Sequence, residues 1–127
     1  MIKSIALLRR RADLSREAFV DYYERHHAPL ILSLMPGIVD YRRNFAVFDG
    51  AFVNEGAAPF DFDVVTELWF ADRAAYDAAI AVATAPDVAA RIAADEENFL
   101  DRTGTRMFVV EERRSATAPA MPASCHP

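Results

Sequence analysis

Apolar positions crowd the first ten residues and then change period. Residues 2–9, IKSIALLR, hold enough of them for a buried strand. Asp13-Leu14-Ser15 follows as a helix start, with Ser15 able to cap the free amides and Glu17 in the acid-favouring first turn. Phe19, Tyr22, Tyr23, His26, Leu30 and Leu34 then recur at three and four residues, the pattern of one face of an amphipathic helix. Pro29 lacks an amide and biases Ala28 away from helical backbone, so a kink or break is expected at Ala28-Pro29.

Residues 38–48, IVDYRRNFAVF, read as a second strand, with Val39, Tyr41, Arg43, Phe45 and Val47 on one side by strict alternation. The glycine, asparagine and proline of residues 49–61 predict an irregular loop. A third strand at 62–70 puts Phe62, Val64, Thr66, Leu68 and Phe70 on one face and Asp63, Val65, Glu67 and Trp69 on the other. Asp72 can cap a helix to about Thr84, Pro86 opens a further helical piece through Phe99, and 104–112 is the last strand. This order predicts an α+β ferredoxin-like sandwich, β-α-β-β-α-β with an antiparallel sheet. Two helical segments cover one sheet face only, yet the strands carry apolar residues on both, so a homodimer through the open faces is expected. Residues 1–112 form the domain in this reading, and 113–127, with three prolines and no apolar period, a tail.

Composition narrows the function classes. The chain has 127 residues, 53% of them hydrophobic, and a formal charge of -5, which speaks against a broad nucleic-acid-binding face. No apolar run is long enough to span a membrane, and the start lacks a secretory-signal pattern. The single Cys125 permits no internal disulfide, making a reducing cytoplasm the default expectation.

Phosphate loops, dinucleotide glycine fingerprints, HExxH and nucleophile elbows are all absent. Useful groups concentrate in YYERHHAPL at 22–30, where histidine can exchange protons near neutrality and tyrosine can donate or orient. His26 fits the apolar stripe as a packing residue, and His27 lies beside it at the helix break; periodicity alone does not choose between them. Asn44, Glu67 and Trp69 are strand candidates for a polar or aromatic pocket wall, and Phe99 is a further candidate for contact with a substrate. Adjacent Arg42 and Arg43 must face opposite sides of their strand. With only three histidines, two adjacent and His126 in the tail, no metal site or cofactor is expected, although a haem needs only one axial histidine.

The opening IKSIALLRRRADLSREAFVDYYERHHAPL, the following PGIVDY, the VVTELWF strand and the closing NFLDRTGTRMFVVEE together resemble the EthD family of small dimeric α/β-barrel proteins over residues 1–112. The family places a histidine immediately before a small residue and proline, the position of His27 here. Tyr23 stands where the family often has tryptophan. The resemblance implies cofactor-independent proton movement on a small hydrophobic, lactone or aromatic polyketide-like substrate, by a lyase or isomerase. His27 would be the acid or base, and Tyr23, Asn44 and Trp69 would line or orient. The competing expectations are a non-catalytic small-ligand binding or accessory protein, and an oxygenase of the same barrel type.

Overall fold

The computed structural model describes residues 1–118. Cys125 and His126 lie outside them. Four strands, β1 (Ile2–Arg10), β2 (Ile38–Phe45), β3 (Val64–Phe70) and β4 (Leu100–Val110), form one antiparallel sheet in the order β2-β3-β1-β4. The helices are α1 (Arg16–Tyr22), α2 (Ala28–Leu34), α3 (Arg73–Ala83) and α4 (Pro86–Glu96). This is the ferredoxin-like α+β sandwich, helices on one face of the sheet and the other face open. No helix among the described residues is long and apolar enough to cross a membrane.

Local chemistry starts the helices where the sequence indicates. Ser15 accepts from the Ala18 amide at 3.1 Å, and Asp72 accepts from that of Ala75 at 2.8 Å. The expected break at Ala28-Pro29 takes another form. A π-helical turn, Tyr23–His27, joins α1 to α2, and the Ala28 amide bonds back to the Tyr23 carbonyl. The chain thus stays helical through Pro29, the wide turn preceding the residue that cannot donate.

That turn also corrects the helix stripe. Phe19, Tyr23, His27, Ile31 and Met35 are buried at a step of four, with Ala28 buried beside His27. An α-helix of period 3.6 drifts under such a step, and one wider turn takes up the drift. His26 is therefore not a packing residue: it is exposed, its ring 4.7 Å from that of Tyr22.

Strand edges also depart from strict alternation. A bulge between Ile38 and Asp40 leaves Val39 exposed and out of phase with Tyr41, Arg43 and Phe45, which face the helices. β2 ends at Phe45, β3 starts at Val64, and β4 begins at Leu100, four residues before the expected start. A second irregularity, where β1 shifts register against β4 between Leu7 and Arg9, contains Gly104; a Cβ there would sit 2.5 Å from that of Arg9. The segment between β2 and β3 is irregular as expected, held by a Phe48–Phe60 stack at 4.4 Å and by Arg106 bonding both Asp61 oxygens at 3.0 Å.

The core lies between helices and sheet. Phe19, Tyr23, Val64 and Phe99 anchor one half, Leu68, Phe70 and Ala79 the other. Fully burying each large side chain contributes about 1.5–3 kcal/mol. On the opposite face Ile5, Leu7, Val65 and Trp69 are half-buried and Phe108 is 45% exposed.

Candidate functional site

The two core halves do not close completely. Between them is a cavity of about 260 Å³, with Ala6, Leu68 and Met107 of the sheet on one side and Ile31, Ile80 and Ile92 of the helices on the other. Among the described residues seven polar side chains interrupt this apolar lining: Tyr23, His27, Tyr41, Thr66, Thr84, Glu96 and Thr105. A recess of about 280 Å³ between Arg10, Arg16, Phe48 and Asp63 is similar in size, but among the described residues no histidine or tyrosine lines it.

His27 stands at the wall of this cavity. The π turn points it inward, 4% exposed, with its ring against Phe99 at 4.8 Å and Tyr23 at 5.3 Å. Its Nδ1 lies 2.8 Å from Asp95 Oδ2. An ionised carboxylate only accepts, so Nδ1 donates to it, and in the neutral imidazole Nε2 then holds the lone pair. Among the described residues Nε2 has no hydrogen-bond partner. The other Asp95 oxygen accepts from the Tyr22 hydroxyl at 2.7 Å, and Asn98 Nδ2 donates to that hydroxyl at 2.9 Å. Asp95 is thereby held from both sides, and the imidazole with it.

A second network sits on the sheet. The Tyr23 hydroxyl is 2.7 Å from Thr66 Oγ1 and 2.9 Å from the Tyr41 hydroxyl. Burial raises both phenols above the ordinary tyrosine range, so they stay protonated and serve as donors. Glu96 is adjacent to Asp95 but turned toward the cavity, and burial also raises its carboxyl above the usual range. Thr105 contributes a buried hydroxyl that has no partner among the described residues.

The candidates named from sequence are thus divided. His27 and Tyr23 share the cavity, and Phe99, fully buried, supports the His27 ring from behind. His26 is outside it. Asn44, Glu67 and Trp69 are on the opposite sheet face. There Asn44 Nδ2 donates to the Val65 carbonyl at 2.9 Å, and Lys3 and Arg42 each lie 4.8 Å from the Trp69 ring. Tyr41, Thr66, Asp95, Glu96 and Thr105 join the site from expected elements, without being candidates in the sequence. One signal was available for two of them: Asp95 and Glu96 occupy the last turn of α4, where the helix dipole disfavours acids. Among the described residues no three His, Cys, Asp or Glu side chains are grouped to hold a metal ion.

The EthD domain pattern matches residues 11–103. The chain belongs to the EthD family. Similar solved structures include an EthD family protein from Bacillus halodurans, at 19% identity and TM-score 0.59, covering 89% of this chain and 100% of that one. HapK from Hahella chejuensis matches at 18% identity and TM-score 0.58, covering 94% and 100%. A DABB family protein with a ferredoxin-like fold from Mesorhizobium loti matches at 17% and 0.52, covering 89% and 97%. At these identities the likeness speaks for the fold that this EthD chain shares with them. No curated protein matches it in sequence.

Proposed function

We propose that this EthD chain binds a small, mainly apolar molecule in the cavity and that His27 exchanges a proton with it, without a cofactor, as in a lyase or isomerase. The observation that carries the reading is the His27–Asp95 pair at the wall of an apolar cavity, with Nδ1 occupied and Nε2 unpartnered. Asp95 fixes the tautomer and stabilises the imidazolium formed when Nε2 takes a proton. Tyr41, held protonated, orients a ligand oxygen, and Tyr23 braces it through their shared hydrogen bond. Small lactones and aromatic polyketide-like molecules are the substrate classes to try.

A second reading, retention of a ligand without conversion, is favoured by one observation. The Tyr23 hydroxyl is already engaged by Thr66 and Tyr41, so it is not free as a second proton carrier. Mass-spectrometric turnover of lactones, aromatic polyketide acids and phenols, with wild type beside His27→Ala at several pH values, separates the two. Conversion abolished in a folded variant supports proton transfer, and unchanged conversion refutes the role of His27. A ligand held unchanged by both proteins supports binding alone.

We also infer that the open sheet face, with Ile5, Leu7, Val65 and Phe108, pairs with a second copy of the chain. Its apolar centre flanked by Lys3, Arg42, Glu67 and Arg106 supports that pairing.

A further inference from the structure

Glu96 has no role in orienting His27. It closes the last turn of α4, its side chain is 14% exposed, and it shares the cavity wall with His27. Arg102 Nε donates to its Oε1 at 3.3 Å, and Oε2 has no hydrogen-bond partner among the described residues. The charged groups facing it are His27 from the π turn, Arg102 from β4 and Asp95 on its own helix. Burial is the largest influence and favours the protonated acid, as does Asp95, whereas His27 and Arg102 favour the carboxylate.

The rest of the lining restricts what can enter. Among the described residues no Lys or Arg side chain lines the cavity, and the Arg43 guanidinium is bound to Glu24 at 2.9 and 3.1 Å. An anionic ligand would lose hydration beside Glu96, with Asp95 behind the imidazole and no cation to replace the lost water. A neutral carbonyl oxygen, by contrast, accepts from a carboxylic acid or a hydroxyl, and the unpartnered Thr105 hydroxyl adds a donor in the same cavity.

We propose that Glu96 is the second proton-carrying residue of the cavity, paired with His27, and that the ligand it admits is a neutral, enolisable carbonyl compound rather than a carboxylate. This rests on the reading of His27 as a proton acceptor and narrows the substrate classes given with it. His27 Nε2 takes a proton from the carbon beside the carbonyl, and the C–H electron pair becomes a C=C bond. The carbonyl π pair moves onto oxygen, which takes the Glu96 proton. The products of this step are a neutral enol, an imidazolium and a carboxylate. Returning the imidazolium proton to the same or a conjugated carbon, and the enol proton to Glu96, restores both residues. The outcome is an exchanged or isomerised carbonyl compound, with no oxidant or reductant consumed.

Acetophenone and benzoate test this, being similar in size but opposite in the property at issue. Proton NMR in D2O follows loss of the acetophenone methyl signal, and chemical-shift titration gives both affinities. Wild type is expected to accelerate the exchange, with His27→Ala and Glu96→Gln each slowing it by about tenfold or more. Acetophenone should bind about tenfold tighter than benzoate at neutral pH, because no Lys or Arg of the lining replaces the water a carboxylate loses. Glu96→Asp should restore part of the exchange, and circular dichroism checks the fold of each variant. Exchange lost in His27→Ala but kept in Glu96→Gln overturns the role of Glu96 and leaves that of His27 standing. Exchange kept in His27→Ala overturns both. Absence of exchange in wild type with acetophenone bound refutes the acid–base pair. Benzoate binding as tightly as acetophenone, or no binding of acetophenone, refutes the ligand class.

Discussion

Tyr23→Phe removes one oxygen from the middle of the protein and nothing else. The ring is 1% exposed and packs edge-on against Phe19, Phe45, Phe99 and His27, contacts that phenylalanine keeps. Two hydroxyl bonds are lost, at 2.7 Å to Thr66 and 2.9 Å to Tyr41. Thr66, 3% exposed, is left with a buried hydroxyl and no protein partner, whereas half-buried Tyr41 can turn toward the cavity. Each neutral bond contributes about 1 kcal/mol net and the orphaned Thr66 oxygen costs about 1–3 kcal/mol, overlapping terms that place the destabilisation at about 2 kcal/mol. Urea unfolding at fixed protein concentration measures it as a lower midpoint with unchanged slope. Adding Thr66→Val removes the orphan, so the double variant should recover about 1 kcal/mol relative to the sum of the singles. A loss below about 0.5 kcal/mol in Tyr23→Phe, or strict additivity in the double variant, would refute the buried network as described.

Asp95→Asn should let the amide donate to His27 Nδ1 and convert Nε2 into an N–H, lowering proton-transfer turnover by about 10²–10⁴-fold at unchanged fold; turnover within twofold of wild type, about 0.4 kcal/mol, would count against the pair. Burial raises Glu96 above its ordinary 4.5, so the folded state holds that proton more tightly than the unfolded chain. The resulting stabilisation is full below 4.5 and is lost as pH rises through the raised folded value. Glu96→Gln, which cannot ionise, should therefore gain thermal midpoint on wild type above that window and not below it; a gap independent of pH contradicts the assignment. Phe108→Arg puts a charge on the open sheet face beside Ile5 and should shift the chain to monomer in sedimentation-velocity runs. An unchanged sedimentation coefficient in a wild-type dimer would place the interface elsewhere.

Much of the architecture is legible in local signals, because each depends on near neighbours. Ser15 and Asp72 cap helices, Pro86 opens one, and the alternation of β3 from Val64 to Phe70 describes which residues face the core. The helix stripe was misread for a physical reason. A strict 3.6 period places His26 inside, but the π turn before Pro29 adds a residue to the turn and rotates His27 inward instead. The His-small-Pro resemblance favours His27 without supplying that cause.

Local signals carry the order of elements, the ferredoxin-like class and a histidine just before Pro29 in the first helical segment. What surrounds that histidine is a matter of tertiary packing. Asp95 and Glu96 are adjacent in a run of acids that reads as a solvated helix end, yet one holds the imidazole and the other lines the cavity. Asn44, Glu67 and Trp69 have suitable chemistry and stand on the wrong side of the sheet for it. Periodicity reports which face of its own element a residue occupies. Which face meets the histidine depends on how helices and strands from distant parts of the chain are laid together.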